Sequence, residues 1–124
     1  VTDCIFCNLN HQKRLLKNDH FFAIYDHFPV SPGHTLVISK RHAGDFFDLS
    51  GEEMTALHDI VHQVKEMLDR EFNPAGFNLG MNCGAVAGQS VFHFHLHVIP
   101  RFARYHLNEN RKKRGLREYL RDII

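Results

Sequence analysis

His93, His95 and His97 stand two residues apart in the run His93-Phe94-His95-Leu96-His97-Val98-Ile99, separated by bulky apolar side chains. An extended strand repeats every two residues. The three imidazoles therefore project from one face, and Phe94, Leu96 and Val98 from the other. Neighbouring rings on that face stand roughly 6.6 Å apart, close enough to crowd around one small anion. Helical spacing would scatter them around an axis. Imidazole titrates near neutrality and serves as nucleophile, acid, base or metal ligand. The pattern points to chemistry on phosphate, or to a metal.

Two further groups of residues carry chemistry. Gly84 to Ser90 is a glycine-rich loop directly before the histidines. Its glycines allow close approach and positive φ, so backbone N–H groups can face phosphate oxygens. Gln89 and Ser90 add side-chain donors for non-bridging or leaving oxygens, and Asn82 adds one for phosphate or sugar. An ordinary loop joining two strands is the plainer alternative. Cys4 and Cys7 form a Cys-x-x-Cys pair, two thiolates at ligand spacing, whereas a closed zinc site needs two more donors. The alternatives are a reduced pair at a terminus, or a redox motif without the thioredoxin-like setting such motifs need. His58 and His62 lie four apart with no third ligand and read as a helix surface. Cys83 reads as a loop thiol, and His11, His20, His27 and His106 receive no role.

The chain of 124 residues is one domain, large enough for its own core, and 44% of it is hydrophobic. No apolar run approaches a bilayer span and no apolar signal segment opens it, so a membrane partner is not expected. Three cysteines suit a reducing compartment, hence a cytoplasmic expectation. Residues 1–100 hold 7 Lys/Arg and 11 Asp/Glu, net −4, whereas 101–124 hold 8 and 3, net +5. That basic end (among others Arg101, Arg104, Lys112, Arg117 and Arg121) reads as a solvated terminal helix, with attraction to nucleic acid as the rival reading.

The elements that must position these groups follow from pattern. Leu15–Lys17 and Phe21–Tyr25 flank Asn18-Asp19 as a hairpin, and Cys4–Asn10 opens as a turn or short helix. His34–Ser39 resumes as a strand after Pro32-Gly33. Ser50 and Glu53 make a capping box. The helix behind it runs to about Phe72, because Met54, Leu57, Val61, Val64 and Leu68 recur at threes and fours, and Asn73-Pro74 ends it. Phe77–Asn82 is a further strand, and the histidine strand stops at Pro100. The order predicts an α+β fold: an antiparallel sheet of about five strands, one long helix packed on it, and short terminal helices. A Rossmann-type domain does not fit that order.

Asn82-x-Gly84-x-x-x-Gly88-Gln89-Ser90 followed by His93-x-His95-x-His97 resembles the signature of the histidine triad (HIT) family. Pro32-Gly33-His34, with Asp26 eight residues before the histidine, resembles that family's upstream nucleotide-contacting segment. The match spans residues 4 to about 101. The resemblance implies transfer of a nucleotidyl group to water. The middle histidine, here His95, attacks the α-phosphate of a purine nucleoside phosphoramidate or dinucleoside polyphosphate, and a nucleotidyl-histidine then releases a nucleoside monophosphate. It implies that His97 contacts the phosphate, that His34 lies near it, and that Asp26 accepts from the ribose hydroxyls. A structural histidine and a turn-forming Asp before Pro29 remain the plainer readings of the last two. Phe22, Ile24 and Leu36 are candidates to clasp the base and are equally good core residues. In a zinc-bearing subset of the family, His42 and His93 would join Cys4 and Cys7 in a closed, structural zinc site. The resemblance also implies a homodimer.

Two other classes compete. One is a nucleotide-binding signalling module with incidental hydrolysis. The other is a processor of nucleic-acid 5′-adenylates, encouraged by the basic end, although relatives of that kind carry extra nucleic-acid-binding domains.

Overall fold

A computed structural model describes residues 3–9 and 12–103, so most of the basic C-terminal segment lies outside the described residues, with His11 and His106. Five strands, β1 (Leu16–Lys17), β2 (Phe21–Tyr25), β3 (Thr35–Ser39), β4 (Gly76–Gly80) and β5 (His95–Arg101), form one sheet in the order β1-β2-β3-β5-β4. All neighbours run antiparallel. One helix, α1 (Gly51–Phe72), crosses it. The expected α+β architecture is the one observed. Asn8 N–H donates to Ile5 O at 3.3 Å, so the N-terminal segment is a turn rather than a helix. No helix among the described residues is long and apolar enough to cross a membrane.

The register assigns the faces. Ala23 pairs with Val37 and Val37 with Leu96, and all three point into the core beneath Leu57, Ile60, Val64 and Leu68 of α1. Burying a side chain such as Ile60 or Leu68 contributes about 2 kcal/mol. The other set, Phe22–Ile38–His95 and Ile24–Leu36–His97, shares the opposite face. There Phe22, Ile24, Leu36 and Ile38 make a second apolar cluster, covered by Phe6 and Leu9. The histidines therefore stand on an apolar floor.

Helix α1 has the ends its sequence announces. Glu53 N–H donates to Ser50 Oγ at 3.1 Å and Ser50 N–H to Glu53 Oε1 at 2.8 Å. Asn73 closes the helix in the left-handed region at φ 50°, which Asn tolerates.

Strand β5 begins at His95, two residues later than the alternation predicts. The register of β3 and β5, extended one step, would pair Ser39 with Phe94. Ser39 N–H does donate to Phe94 O at 3.3 Å. The return bond is missing: Ser39 O accepts His93 Nε2–H at 2.7 Å, and Phe94 N–H goes to Ala43 O at 2.7 Å. A side chain has displaced a ladder bond. Strand β4 likewise stops at Gly80 rather than Asn82, whose side chain folds back to donate to Gly88 O at 3.2 Å.

Candidate functional site

Backbone partners define the proton positions on the histidines. His95 Nδ1 lies 2.8 Å from the carbonyl of His93, so Nδ1 carries the proton and Nε2 keeps its lone pair. Burial pushes the His95 imidazole below its ordinary pKa, against the pull of that carbonyl and of Asp26. The ring is therefore neutral near pH 7 with a free nitrogen. The His95 and His97 centroids are 5.4 Å apart, with the ring planes at 69° to one another.

A second chain of bonds sets His97. Val30 N–H donates to His34 Nδ1 at 3.1 Å, which leaves the His34 proton on Nε2. That Nε2–H faces His97 Nδ1 at 2.9 Å, so His97 carries its own proton on Nε2 and is a donor there. Asp26 Oδ2 lies 3.4 Å from His34 Nε2 and 3.9 Å from His97 Nδ1, while its Oδ1 accepts Phe28 N–H at 2.9 Å. Asp26 thus forms the turn and also faces the histidines. Burial, then the neighbouring His95 and His34, bring His97 down to about 4. Burial also lowers His34, opposed by Asp26. Asp26, His34 and His97 lie close enough to hold an ion. The Val30 bond argues for a hydrogen-bond chain instead, since a protonated Nε2 cannot ligate.

A cavity of about 420 Å³ opens over these rings. Its polar lining includes Asp26, Asn82, Ser90, His95 and His97, with Gly88, and its apolar lining includes Ile5, Phe6, Leu9, Ile24 and Leu36. That combination suits a ligand with a flat apolar end and an anionic end. Phe22, a base-clasp candidate, does not line it; the Arg14 guanidinium covers its ring at 3.9 Å.

Gln89 departs from expectation. It is buried, and its Nε2 donates to Gly44 O at 2.6 Å and Val91 O at 3.0 Å. Its Oε1 accepts Gly84 N–H at 2.7 Å. The amide is spent on holding the loop, and no donor remains for a phosphate. The loop amides are also partly consumed: Ala87 and Gln89 N–H donate to Gly84 O, and Gly88 N–H to Ala85 O. Positive φ at Gly84 and Gly88 makes this tight turn possible. Of the donors predicted here, Ser90 and Asn82 face the cavity.

Cys4, Cys7, His42 and His93 converge outside the cavity lining, with all four donor atoms within 4.8 Å of one another. Cys4 Sγ is 3.3 Å and Cys7 Sγ 3.4 Å from His93 Nδ1. His42 Nδ1 is 3.2 Å from Cys7 Sγ and 3.1 Å from His93 Nδ1. Tetrahedral zinc holds such atoms roughly 3.3–3.8 Å apart. The donor set fits. His93 Nε2–H is taken by Ser39 O, so its Nδ1 lone pair points at the thiols, and carbonyl support of this kind is typical of a ligating histidine. Burial and the adjacent Cys4 hold the Cys7 thiol above its usual pKa. His42 is steadied through Arg41, which forks onto Glu53 at 2.9 and 3.1 Å and reaches Asp48 O at 2.7 Å. Arg41 in turn holds Glu53 down to about 2.

Sequence reasoning missed Ile5, Phe6 and Leu9 as cavity wall. The signal was present as an apolar stripe inside and just after the Cys-x-x-Cys pair. It also missed Val30 and Ser39, which act through backbone atoms and leave no trace in residue type.

Comparison with known proteins matches this architecture. The family model for the HIT domain matches residues 9–104. An uncharacterized HIT-like protein of Mycoplasma genitalium is 38% identical over 122 residues, covering 91% of this chain and 86% of its own length. An adenylylsulfatase of Arabidopsis thaliana is 33% identical over 106 residues (82% of this chain, 54% of the relative). A bis(5′-nucleosyl)-tetraphosphatase of Schizosaccharomyces pombe is 40% identical over 73 residues (59% and 40%). Among solved structures, a HIT family protein of Bacillus anthracis superposes with a TM-score of 0.76 at 36% identity, covering 98% of this chain and 92% of that one. A zinc-bound histidine triad protein of Mycobacterium smegmatis gives 0.77 at 28% identity, covering 98% and 88%. With its sheet, its loop and its histidines in these places, the chain belongs to the HIT family.

Proposed function

We propose that the protein is a nucleotidyl hydrolase that cleaves at the α-phosphate of purine nucleoside phosphoramidates or dinucleoside polyphosphates. One observation carries this reading: His95 keeps an unprotonated Nε2 beside a donor, His97, on the wall of a cavity that is otherwise largely apolar. The names of the Arabidopsis and Schizosaccharomyces relatives, an adenylylsulfatase and a bis(5′-nucleosyl)-tetraphosphatase, support the same class.

The base lies against Ile5, Phe6, Leu9, Ile24 and Leu36, and Asp26 accepts from the ribose hydroxyls. His95 Nε2 donates its lone pair to phosphorus and a P–N bond forms. The leaving group departs with the electrons of its own bond to phosphorus and takes a proton from solvent. His97 Nε2–H and Ser90 Oγ–H donate to the phosphate oxygens as charge develops, and Asn82 borders the same space. Water then attacks phosphorus and the bonding pair returns to His95 Nε2, while one of the water's protons stays on the new phosphate hydroxyl and the other passes to solvent. A nucleoside monophosphate leaves. Gln89 and Gly88 take part by holding the loop.

Cys4, Cys7, His42 and His93 would hold zinc, which would cross-link the N-terminal turn to the sheet and leave no open coordination position. Cysteines kept as thiolates suit a reducing compartment such as the cytoplasm, and that localisation is part of the same reading. A homodimer is part of the same reading. Strand β4 is a sheet edge, and Leu79 on it is 55% exposed, an apolar edge that a second copy would cover.

The test is His95→Ala. Turnover of adenosine phosphoramidate should fall to background while nucleoside monophosphate binding persists. Wild-type protein caught early in turnover should carry one nucleotidyl mass that the variant lacks. Undiminished turnover in the variant would remove His95 from the role.

A further inference from the structure

We propose that ligation of Cys4 and Cys7 tightens nucleotide binding, because the residues between those cysteines are the wall of the base end of the cavity. The inference rests on the nucleotide reading above and adds a coupling between two sites.

Ile5 and Phe6 lie between the two thiols in sequence, and both line the cavity. Phe6 joins the sites physically. Its ring meets His93 of the thiol cluster edge-on at 5.9 Å and His95 of the cavity at 5.0 Å. Within the turn, Asn8 Nδ2 donates to Cys4 O at 2.7 Å and Asn8 N–H to Ile5 O at 3.3 Å. Cys4 and Cys7 reach the body of the protein through imidazole nitrogens at 3.2–3.4 Å, weak contacts for neutral thiols. Ile5 is 58% exposed, so its own packing does little to hold the turn. Phe6 and Leu9 rest on the second apolar cluster, but the Ile5 side of the wall must be ordered by the ligand that uses it, and that ordering subtracts from affinity. With both thiols ligated, the turn is already in place.

Coupling of this kind is reciprocal. If ligation strengthens nucleotide binding about tenfold, nucleotide strengthens ligation by the same factor. The experiment measures zinc affinity of the full chain by chelator competition, with and without saturating adenosine 5′-monophosphate. The expected results are about one zinc per chain and an approximately tenfold tighter zinc affinity with nucleotide present. In Phe6→Ala the zinc should remain while the enhancement collapses towards onefold. Equal zinc affinity with and without nucleotide overturns the coupling and leaves the nucleotide reading intact. Enhancement that survives in Phe6→Ala overturns the assigned route. Failure of the zinc-loaded wild type to bind the monophosphate at all sinks the underlying reading as well, and protein that takes up no zinc removes the premise. All these measurements use protein in its folded, zinc-equilibrated form.

Discussion

Replacing Gln89 by Glu separates a scaffold residue from a substrate contact. Three hydrogen bonds converge on the Gln89 amide, at 2.6, 3.0 and 2.7 Å, in a site the solvent hardly reaches. Glutamate keeps the shape and the acceptor for Gly84 N–H. It also turns a two-proton donor into a carboxylate oxygen facing the carbonyls of Gly44 and Val91. Each lost bond is worth about 1 kcal/mol, and setting a carboxylate oxygen against two half-buried carbonyls raises the total to about 3 kcal/mol. With a urea slope of about 2 kcal/mol per molar for a domain of this size, the unfolding midpoint should drop by roughly 1.5 M. Gln89→Met, similar in volume but without any of the three bonds, should fall by a comparable amount. Urea unfolding followed by circular dichroism measures both, and adenosine phosphoramidate turnover is read on the folded fraction. A residue that served the phosphate alone would lower turnover and leave stability untouched. A midpoint for Gln89→Glu within about 0.2 M of wild type would refute the scaffold assignment.

Two further outcomes follow from the same packing. The folded state holds His97 at about 4 whereas an unfolded histidine titrates near 6.5, so unfolding takes up a proton between those values. Stability should therefore fall as pH drops from about 6.5 towards about 4, by up to ~3 kcal/mol from this group, with His34 acting in the same direction. Asp26, His34 and His95 are the groups that face it, and His97→Gln should flatten the pH dependence of the urea midpoint in that window. Gly33 sits at φ +86°, and a Cβ there would stand 3.0 Å from Phe72 Cδ2 and 3.2 Å from Leu68 Cδ2. Gly33→Ala should cost about 2 kcal/mol from backbone strain with some repacking, read as a lowered urea midpoint; an unchanged midpoint would show that the turn relaxes freely.

Local patterns were legible where local physics decides. The period-two alternation correctly placed His95 and His97 on one face with Leu96 and Val98 on the other, because β5 is central and buried on its helix side. The bounds of α1 were readable because Ser50, Glu53 and Asn73 act on backbone atoms within a few residues. The site's finer assignments were not readable, since they depend on partners far along the chain. Gln89 is the type of residue that donates, but only the fold shows Gly44 O waiting for it. Phe6 and Phe22 are the same residue type, and both belong to the second apolar cluster. Which of them walls the cavity depends on how the N-terminal turn lies across β2 and β3.

The deviation at His93 explains how one histidine string can serve two sites. A strand continued through residue 93 would return Phe94 N–H to Ser39 O and keep the backbone in the ladder. In the observed fold the His93 ring takes Ser39 O instead, which aims its Nδ1 at the cysteines. The His93 carbonyl points to the other side of the strand, where β4 has already ended at Gly80 opposite His97, and it accepts His95 Nδ1–H two residues on. The broken ladder bond thus directs a ligand nitrogen to the cysteines, and the end of β4 leaves the His93 carbonyl to set the proton on His95. Spacing of two residues is what both tasks require. At a spacing of one, the rings would lie on opposite faces. At a spacing of three, the carbonyl would no longer lie under the ring it orients. A substitution that returned Phe94 N–H to Ser39 O would therefore displace the His93 ring from that carbonyl and disturb the thiol cluster, even though it touched no ligand.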